Sequence, residues 1–143
     1  MATMNLTQHA ATADQVAVGV FDLPAAVRAD LQALLTFGEL PNEQEIRGRA
    51  EQIAGLAAFH AIAALLAGDD GLRPEGDAGG FALHAMIGGA LWLMAPLAAA
   101  LREQGIEPVF AFSVRETEEQ KQPDGSVRKV AVFRHAGFVP AVA

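Results

Sequence analysis

The chain has 143 residues, which suits a single folded domain, and 52% of them are hydrophobic against 19% charged. The formal net charge of -7 argues against a general affinity for duplex DNA or an anionic membrane, because both attract positively charged surfaces. The absence of cysteine excludes disulfides, thiolate nucleophiles and cysteine-based zinc sites.

The first elements predicted along the chain are a short strand, a capped helix and a second strand. Residues 4–8, MNLTQ, predict the first strand. Thr12 and Gln15 match the first and last positions of a capping box, which predicts a helix that begins at Ala13. The run VAVGVFDLP predicts a strand over residues 16–23, so the helix before it must be very short.

Two longer helices and a loop follow. Pro24 in a first turn and Gly38 past a helix end predict a helix between them. Asn42 is the predicted N-cap of the longest helix, whose first turn is acidic. The 3.6-residue spacing predicts a buried stripe on that helix at Ile46, Ile53, Leu56, Phe59 and Ala63. Residues 68–80, GDDGLRPEGDAGG, are rich in turn formers and predict a loop.

The last part of the chain predicts a strand, a helix and a β-hairpin. Residues 81–87 predict a buried strand, and residues 90–104 predict a helix in which Pro96 should cause a kink. The runs 107–120 and 127–139 flank the turn PDGS and predict the hairpin. Charged residues alternate with Val and Phe along it, so one hairpin face should be exposed to solvent.

This order predicts an α/β fold with a mainly parallel sheet flanked by helices and a C-terminal β-hairpin at one edge. We expect the strands over residues 4–8, 81–87 and 109–113 to be central. No basic segment followed by an apolar run opens the sequence, and its most apolar stretch, residues 59–67, is too short to span a bilayer. We therefore expect one cytoplasmic domain over residues 1–143.

Gly88 and Gly89 lie between a predicted buried strand and a predicted helix. Glycines there leave backbone N–H groups open to an anion, and the helix dipole adds partial positive charge, which favours a phosphate site. The alternative is a strand-to-helix turn that packs the helix close to the sheet, because a Gly pair is weaker than a complete phosphate-binding motif.

Thr7, Gln8 and His9 lie at the end of the first predicted strand. In parallel sheets flanked by helices, ligands bind at the carboxyl ends of the strands. Thr7 and Gln8 offer hydrogen-bond donors, and His9 is able to donate as a neutral or a charged imidazole. The alternative is that this segment is a capping turn before the next helix.

Three further candidates lie on the predicted hairpin. An arginine at Arg115, beside Ser113, would be able to clamp a phosphate; the alternative is a surface salt bridge to a nearby glutamate. His135 faces either the same edge or the sheet surface. No histidine pair has the spacing of a metalloprotease motif, and no Gly-x-Ser-x-Gly motif occurs, so we expect neither a metal site nor a serine hydrolase.

Three segments resemble the small stand-alone CARF-like proteins of type III CRISPR systems, the ring-nuclease group. They are NLTQHAAT near the start, IGGALWLMAPLAAALREQGIEPVFAFSVRETEEQ in the second half, and PDGSVRKVAVFRHAGFV near the end. The likeness is best over residues 4–12 and 81–139, and the middle matches only in its helical character. It implies a Rossmann-like fold and a homodimer that binds a cyclic oligoadenylate across its two-fold axis.

The resemblance also implies roles for individual residues. Some members of the family cleave the ring without metal or cofactor, through attack of the ribose 2′-hydroxyl on the adjacent phosphate. By position, His9 and Arg115 are then the catalytic candidates, and the ligand-binding candidates are Thr7, Gln8, Gly88, Gly89, Ser113 and His135. Gln8 replaces a small hydroxyl residue of the family, and a family Gly-acidic-aromatic-Gly segment is shortened here to Gly-Gly. Binding is therefore better supported than cleavage.

Three functions remain open from the sequence. The first is a ring nuclease, the second is a non-catalytic module that senses or sequesters a nucleotide, and the third is a small interaction protein. The third would be favoured if the glycine pair and the segment Gln8-His9 lay at opposite ends of the sheet. Residues 53–66 contain more Ala and Leu than one sheet face needs, which also favours a homodimer.

Overall fold

The computed structural model describes residues 2–66 and 83–142, which form five strands and four helices. In chain order they are β1 (Thr3–Leu6), α1 (Ala13–Ala17), β2 (Val20–Asp22), α2 (Ala25–Leu35), α3 (Glu43–Leu66), β3 (His84–Ile87), α4 (Leu91–Glu103), β4 (Glu107–Lys121) and β5 (Val127–Pro140). The loop predicted over residues 68–80, and the first two residues of the strand predicted over 81–87, lie outside the described residues. Within the described ranges, none of the helices has the length and apolar character needed to cross a membrane.

The five strands form one mixed sheet in the order β2-β1-β3-β4-β5. The neighbours β2, β1, β3 and β4 pair in parallel, and β5 pairs antiparallel with β4 at the edge. The predicted α/β fold with a hairpin edge is confirmed at this level, and β1, β3 and β4 are the central strands as expected. Because parallel strands end at the same edge, the carboxyl ends of β1 and β3 lie side by side.

The main hydrophobic core lies between the sheet and helices α3 and α4. Met4 on β1 lies beside Ala85 on β3, and both side chains are fully buried. On α4, Leu93, Leu97 and Leu101 recur every four residues and are 0% exposed, so one face of this helix packs against the core. Burial of each leucine stabilises the fold by about 1.5–3 kcal/mol.

The longest helix, α3, turns its small residues inward. Its buried side chains are Ala50, Ile53, Ala54, Ala57 and Ala61. The predicted stripe is wrong at Phe59, which is 67% exposed, and at Ala63, which is also exposed. Small side chains let helices approach more closely, since the distance between packed helices depends on the residues at the contact. The spacing therefore predicted the helix correctly but not the face that it buries.

The boundary between α1 and β2 also differs from the prediction. The strand predicted over residues 16–23 begins only at Val20, because α1 continues to Ala17 and Val18 and Gly19 form a turn. The capping box of that helix is confirmed, since the Gln15 N–H donates to Thr12 Oγ1 at 3.2 Å and the Thr12 N–H donates to Gln15 Oε1 at 3.0 Å. Gly19, with a φ of 97°, then turns the chain into β2.

Strands β4 and β5 extend far beyond the rest of the sheet. β4 pairs with β3 over residues 107–109, and from there on residues 110–121 pair with residues 127–139 of β5. We call these two paired segments the ribbon; at about 3.3 Å per residue it is roughly 40 Å long. The prediction of one exposed hairpin face is incomplete, because Phe112 on one face is 53% exposed and Phe133 on the other is 73% exposed.

Candidate functional site

A cavity of about 570 Å³ lies at the carboxyl edge of the sheet, between the ends of β1 and β3 and the start of the ribbon. Its lining includes the predicted residues Thr7, Gln8, His9, Gly88 and Gly89. The volume lies within the range of about 300–1,000 Å³ that small-molecule sites occupy. The glycine pair and the Gln8-His9 segment therefore meet at one edge of the sheet, and the arrangement that would have favoured the interaction protein is not found.

Other residues that line the cavity were not predicted as site residues from the sequence. Gln15 on α1 adds a polar side chain, whereas Met86, Ile87, Phe110 and Ala111 add an apolar wall from the end of β3 and the start of the ribbon. Their apolar character was visible in the sequence. What it did not reveal is which residues of each strand reach the edge, because that depends on the register between strands.

A buried asparagine on β1 fixes the loop that carries His9. The amide Nδ2 of Asn5 donates to the His9 carbonyl oxygen and to Asp22 Oδ1, both at 2.7 Å. Asn5 Oδ1 accepts from the Thr7 N–H at 3.0 Å and from the Thr7 hydroxyl at 2.7 Å. Asp22 in turn accepts from the Ala11 N–H at 3.0 Å. The Asn5–Asp22 pair therefore holds the loop at both of its ends.

The same hydrogen bonds explain why β1 is shorter than predicted. The strand predicted over residues 4–8 ends at Leu6, because the next backbone N–H, that of Thr7, donates to a side chain. The sequence signal for this pair was a polar residue inside each short apolar strand, Asn5 in TMNL and Asp22 in VFD. Buried polar groups need hydrogen-bond partners, so two such residues in neighbouring strands indicate a shared network.

Gln8 and His9 have different surroundings in the loop. The side chain of Gln8 donates to the Leu35 carbonyl at 3.4 Å and to Thr36 Oγ1 at 3.2 Å, so its amide group supports the end of α2. The side chain of His9 is exposed, and among the described lining residues it alone carries a titratable group. Within residues 2–66 and 83–142 no three His, Cys, Asp or Glu side chains are grouped as metal ligands.

Helix α4 begins directly after the glycine pair and has no side-chain cap. Its N-cap is Ala90, and its first turn contains no acidic residue. Gly89 has a φ of 134°, a conformation that L side chains rarely adopt, so this position requires glycine. A Cβ at Gly88 would lie 3.5 Å from Thr7 Cγ2, which is ordinary van der Waals contact. The uncapped N–H groups and the helix dipole make this end of α4 electropositive.

The remaining predicted residues lie on the ribbon, outside the lining of the cavity. Ser113 is opposite His135, and both lie on the ribbon face that also carries Ala111 and Arg115. Arg115 is four residues beyond Ala111, or about 13 Å along an extended strand. The described protomer therefore brings Thr7, Gln8, His9 and the glycine pair together, but not Ser113, Arg115 or His135.

The structure shows which ion pairs form across the ribbon and where His135 packs. Within the described residues, the ion pairs across the ribbon join Arg134 to Glu116 at 3.7 Å and to Glu118 at 3.3 Å. The ring of His135 lies 4.7 Å from that of Phe138, and both of its nitrogens are buried without a hydrogen-bond partner in the described part of the chain. His135 thus packs at the base of the ribbon, next to an aromatic ring.

A protein-family model matches the chain over residues 1–139, and its description is the uncharacterized protein MJ1673 family. No curated protein and no solved structure matches the chain. The family match spans the residues of the cavity, the whole ribbon and every strand residue except Pro140.

Proposed function

The chain belongs to the uncharacterized protein MJ1673 family, and we propose that it binds a cyclic oligoadenylate in the cavity at the carboxyl edge of its sheet. One observation supports this most: Gly88 and Gly89, which lead into the start of α4, line the same cavity as Thr7 and His9. The proposal includes a Rossmann-like, CARF-type fold, a homodimer and a cytoplasmic site of action.

The start of α4 suits a phosphate group. The Leu93 N–H donates to the Ala90 carbonyl at 3.0 Å, which leaves the N–H groups of Leu91 and Trp92 without a partner within the helix. Among the described residues, neither a capping side chain nor a first-turn carboxylate competes for these two groups. An anion at this end is also favoured by the helix dipole. Gly89 keeps this approach free of a side chain, and the Thr7 hydroxyl lies on the opposite segment of the lining.

The apolar wall suits an adenine base. Phe110, which is partly buried against the main core, lines the cavity and offers an aromatic ring to the base. Stacking of a base on an aromatic side chain contributes about 1–3 kcal/mol. The cavity of one protomer is smaller than a complete ring of four or six nucleotides needs, which agrees with a ligand shared between two protomers.

His9 is the candidate for cleavage of the bound ring. In that reaction the ribose 2′-oxygen attacks the adjacent phosphorus, the 5′-oxygen of the next nucleotide leaves and takes up a proton from water, and the product ends in a 2′,3′-cyclic phosphate. His9 would accept the 2′-hydroxyl proton, and Arg115 would stabilise the charge on the phosphate. The Asn5–Asp22 pair supports this role, because it fixes the His9 backbone while leaving the imidazole exposed.

The test is titration of the purified chain with cyclic tri-, tetra- and hexa-adenylate, followed by calorimetry, thermal shift and chromatography of products. We expect one ring size to bind and to raise the melting temperature. His9→Ala should bind as the wild type does but cleave about 10²–10⁴-fold more slowly. Wild-type binding without any cleavage would support the second function, a non-catalytic module. No binding at high micromolar concentration would favour the third function, a small interaction protein.

Two substitutions separate the phosphate site from general damage to the fold. Gly89→Val should abolish binding, because a branched side chain would stand where the phosphate approaches. Gly105→Val is the matched control, since Gly105 also has a positive φ, of 76°, but lies at the other end of α4. Both variants should lose stability, and only Gly89→Val should lose the ligand. Equal loss of binding in the two would contradict the phosphate site.

A further inference from the structure

Beyond its base, where Phe110 and Phe138 pack on the body, the ribbon lacks support from the rest of the described chain. Beyond residue 109, β4 pairs with β5 alone, and both faces of the resulting two-stranded structure are exposed to solvent. Isolated two-stranded hairpins are at best marginally stable in water, so a ribbon of this length needs a surface to pack on. Exposed Phe112 and Phe133, one on each face, indicate that such a surface is partly apolar.

The ribbon starts at the cavity and leads away from it. Ala111 lines the cavity, and Ser113 and Arg115 follow on the same face at two-residue steps. That face continues the side of the sheet on which Val109 packs with Met86, itself a lining residue. Arg115 therefore points to the cavity side of the sheet but lies about 13 Å beyond the cavity of its own protomer.

Charge is distributed unevenly between the ribbon and the body of the molecule. Residues 113–135 contain five of the ten Lys and Arg residues but four of the 17 acidic residues. The rest of the chain is therefore strongly acidic, and the ribbon is its most basic part. An acidic body and a basic extension on one chain complement each other between two copies.

We propose that the ribbon is an arm that docks on the body of a second copy of this chain, so that Arg115 of each copy completes the cavity of the other. A two-fold axis makes the exchange reciprocal, because the same surface patch is then used on both subunits. The cavity gains from the partner subunit a fixed positive charge, which the described residues of its own lining lack. The Arg115 part of this inference rests on the proposed function, whereas the arm itself does not.

Sedimentation of the full-length chain tests the arm. We expect a dimer for the wild type, and a dimer dissociation constant about tenfold or more higher for Phe133→Ser, since exposed aromatic anchors dominate interfaces. Leu40→Ser is the matched control, because Leu40 is an exposed hydrophobic residue away from the ribbon, and it should leave the constant unchanged. High salt should weaken the wild-type dimer, because the charges that complement each other become screened.

A second variant distinguishes the arm from another exposed apolar surface, the outer face of α3. Phe59→Ser changes that face, on which Phe59, Ile62 and Leu66 are exposed. A wild-type monomer at high micromolar concentration overturns the arm. So does a dimer that Phe59→Ser dissociates while Phe133→Ser and Phe112→Ser leave it intact. Far-ultraviolet circular dichroism of each variant confirms that the comparison is made on folded protein.

Mixed dimers test the shared cavity, with cyclic tetra-adenylate as the probe. Gly89→Val damages the cavity of its own subunit, and Arg115→Ala removes the arginine given to the other subunit. Each variant alone should bind at least about tenfold more weakly than the wild type. Heterodimers isolated through two different affinity tags should recover one site of wild-type affinity, because one cavity then has both its own Gly89 and the partner's Arg115.

The outcomes of these experiments distinguish failure of the shared cavity from failure of the proposed function. Heterodimers that bind no better than the two parents show that Arg115 acts within its own subunit or not at all, and they overturn the shared cavity. A wild-type chain that binds no cyclic tri-, tetra- or hexa-adenylate ends the proposed function and the role of Arg115 with it. The arm is then decided by sedimentation alone, which needs no ligand.

Discussion

Strand β1 and the ribbon are both β-structure, yet they are stabilised in opposite ways. All four residues of β1 are buried between two neighbouring strands, and Asn5, one of its two polar side chains, has hydrogen-bond partners in the loop and in β2. The ribbon has one partner strand per segment and exposes Phe112 and Phe133 to solvent. Buried strands of this fold are held by the core, whereas the ribbon depends on its cross-strand pairs and, in our proposal, on a second copy of the chain.

The largest expected effect is the difference between a core leucine and a ribbon phenylalanine. Leu93→Ala should lower the free energy of unfolding by about 2–5 kcal/mol, because Leu93 is fully buried and its removal leaves a cavity. Phe133→Ala should change it by less than about 0.5 kcal/mol in the isolated protomer. Urea titrations at a protein concentration below that of dimer formation measure both. A similar loss for the two would mean that the ribbon is part of the core.

Removal of Asn5 should have the next largest effect on stability, and it should also loosen the loop that lines the cavity. Asn5→Ala leaves the Thr7 N–H without its side-chain acceptor and the His9 carbonyl with only the Thr7 hydroxyl as a side-chain donor, at a cost of about 1–3 kcal/mol. Amide hydrogen exchange should accelerate over residues 7–11 more than in the core strands. Asn42→Ala, which removes an exposed cap from α3 at a cost of about 1 kcal/mol, is the control and should leave exchange in the loop unchanged.

The sequence predicted those parts of the fold that depend on local pattern. Strand and helix order, the capping box of Thr12 and Gln15, and the hairpin turn are set within a few residues, and the structure confirms them. The face that α3 buries was wrong at Phe59, because alanines allow a closer helix contact than the larger residues of the predicted stripe. That choice depends on the neighbouring helix, which periodicity in one segment does not describe.

Prediction of the site was limited because its residues come from segments that are distant in the sequence. Thr7, His9 and the glycine pair could be placed at one edge because parallel strands share it. The Asn5–Asp22 pair depends instead on strand register. The distance of Arg115 from the cavity depends on how far β4 extends beyond the end of β3. Neither feature can be predicted from a single stretch of sequence, because both depend on how separate strands pair.

The two neighbouring glycines offer a finer comparison at the cavity. Gly89→Ala should destabilise the fold by about 1–2 kcal/mol, because its φ of 134° is strained for a residue with a Cβ. Gly88→Ala should cost less, since its Cβ would only meet Thr7 Cγ2 at an ordinary contact distance of 3.5 Å. Thermal unfolding of both variants without ligand gives the difference. Equal costs would show that the turn accepts a side chain at either position.

The smallest expected effect concerns the tip of the ribbon, far from the core. There the Ser126 hydroxyl and then the Ser126 N–H donate to Asp124 Oδ1, and these hydrogen bonds hold the pKa of Asp124 below its ordinary value of 3.8. Because the folded state favours the charged carboxylate, its contribution to turn stability is present above that ordinary value and is lost as the pH falls through the lowered pKa. Ser126→Ala removes the hydroxyl donor and keeps the N–H, so the pKa of Asp124 should rise part of the way back. Carboxyl chemical shifts followed by NMR over an acidic pH series measure it. An Asp124 that titrates identically in the wild type and in Ser126→Ala would mean that the hydroxyl bond does not hold the turn. The ribbon tip would then be ordered by its backbone bonds alone, among them the 2.7 Å bond from the Gln122 N–H to the Ser126 carbonyl.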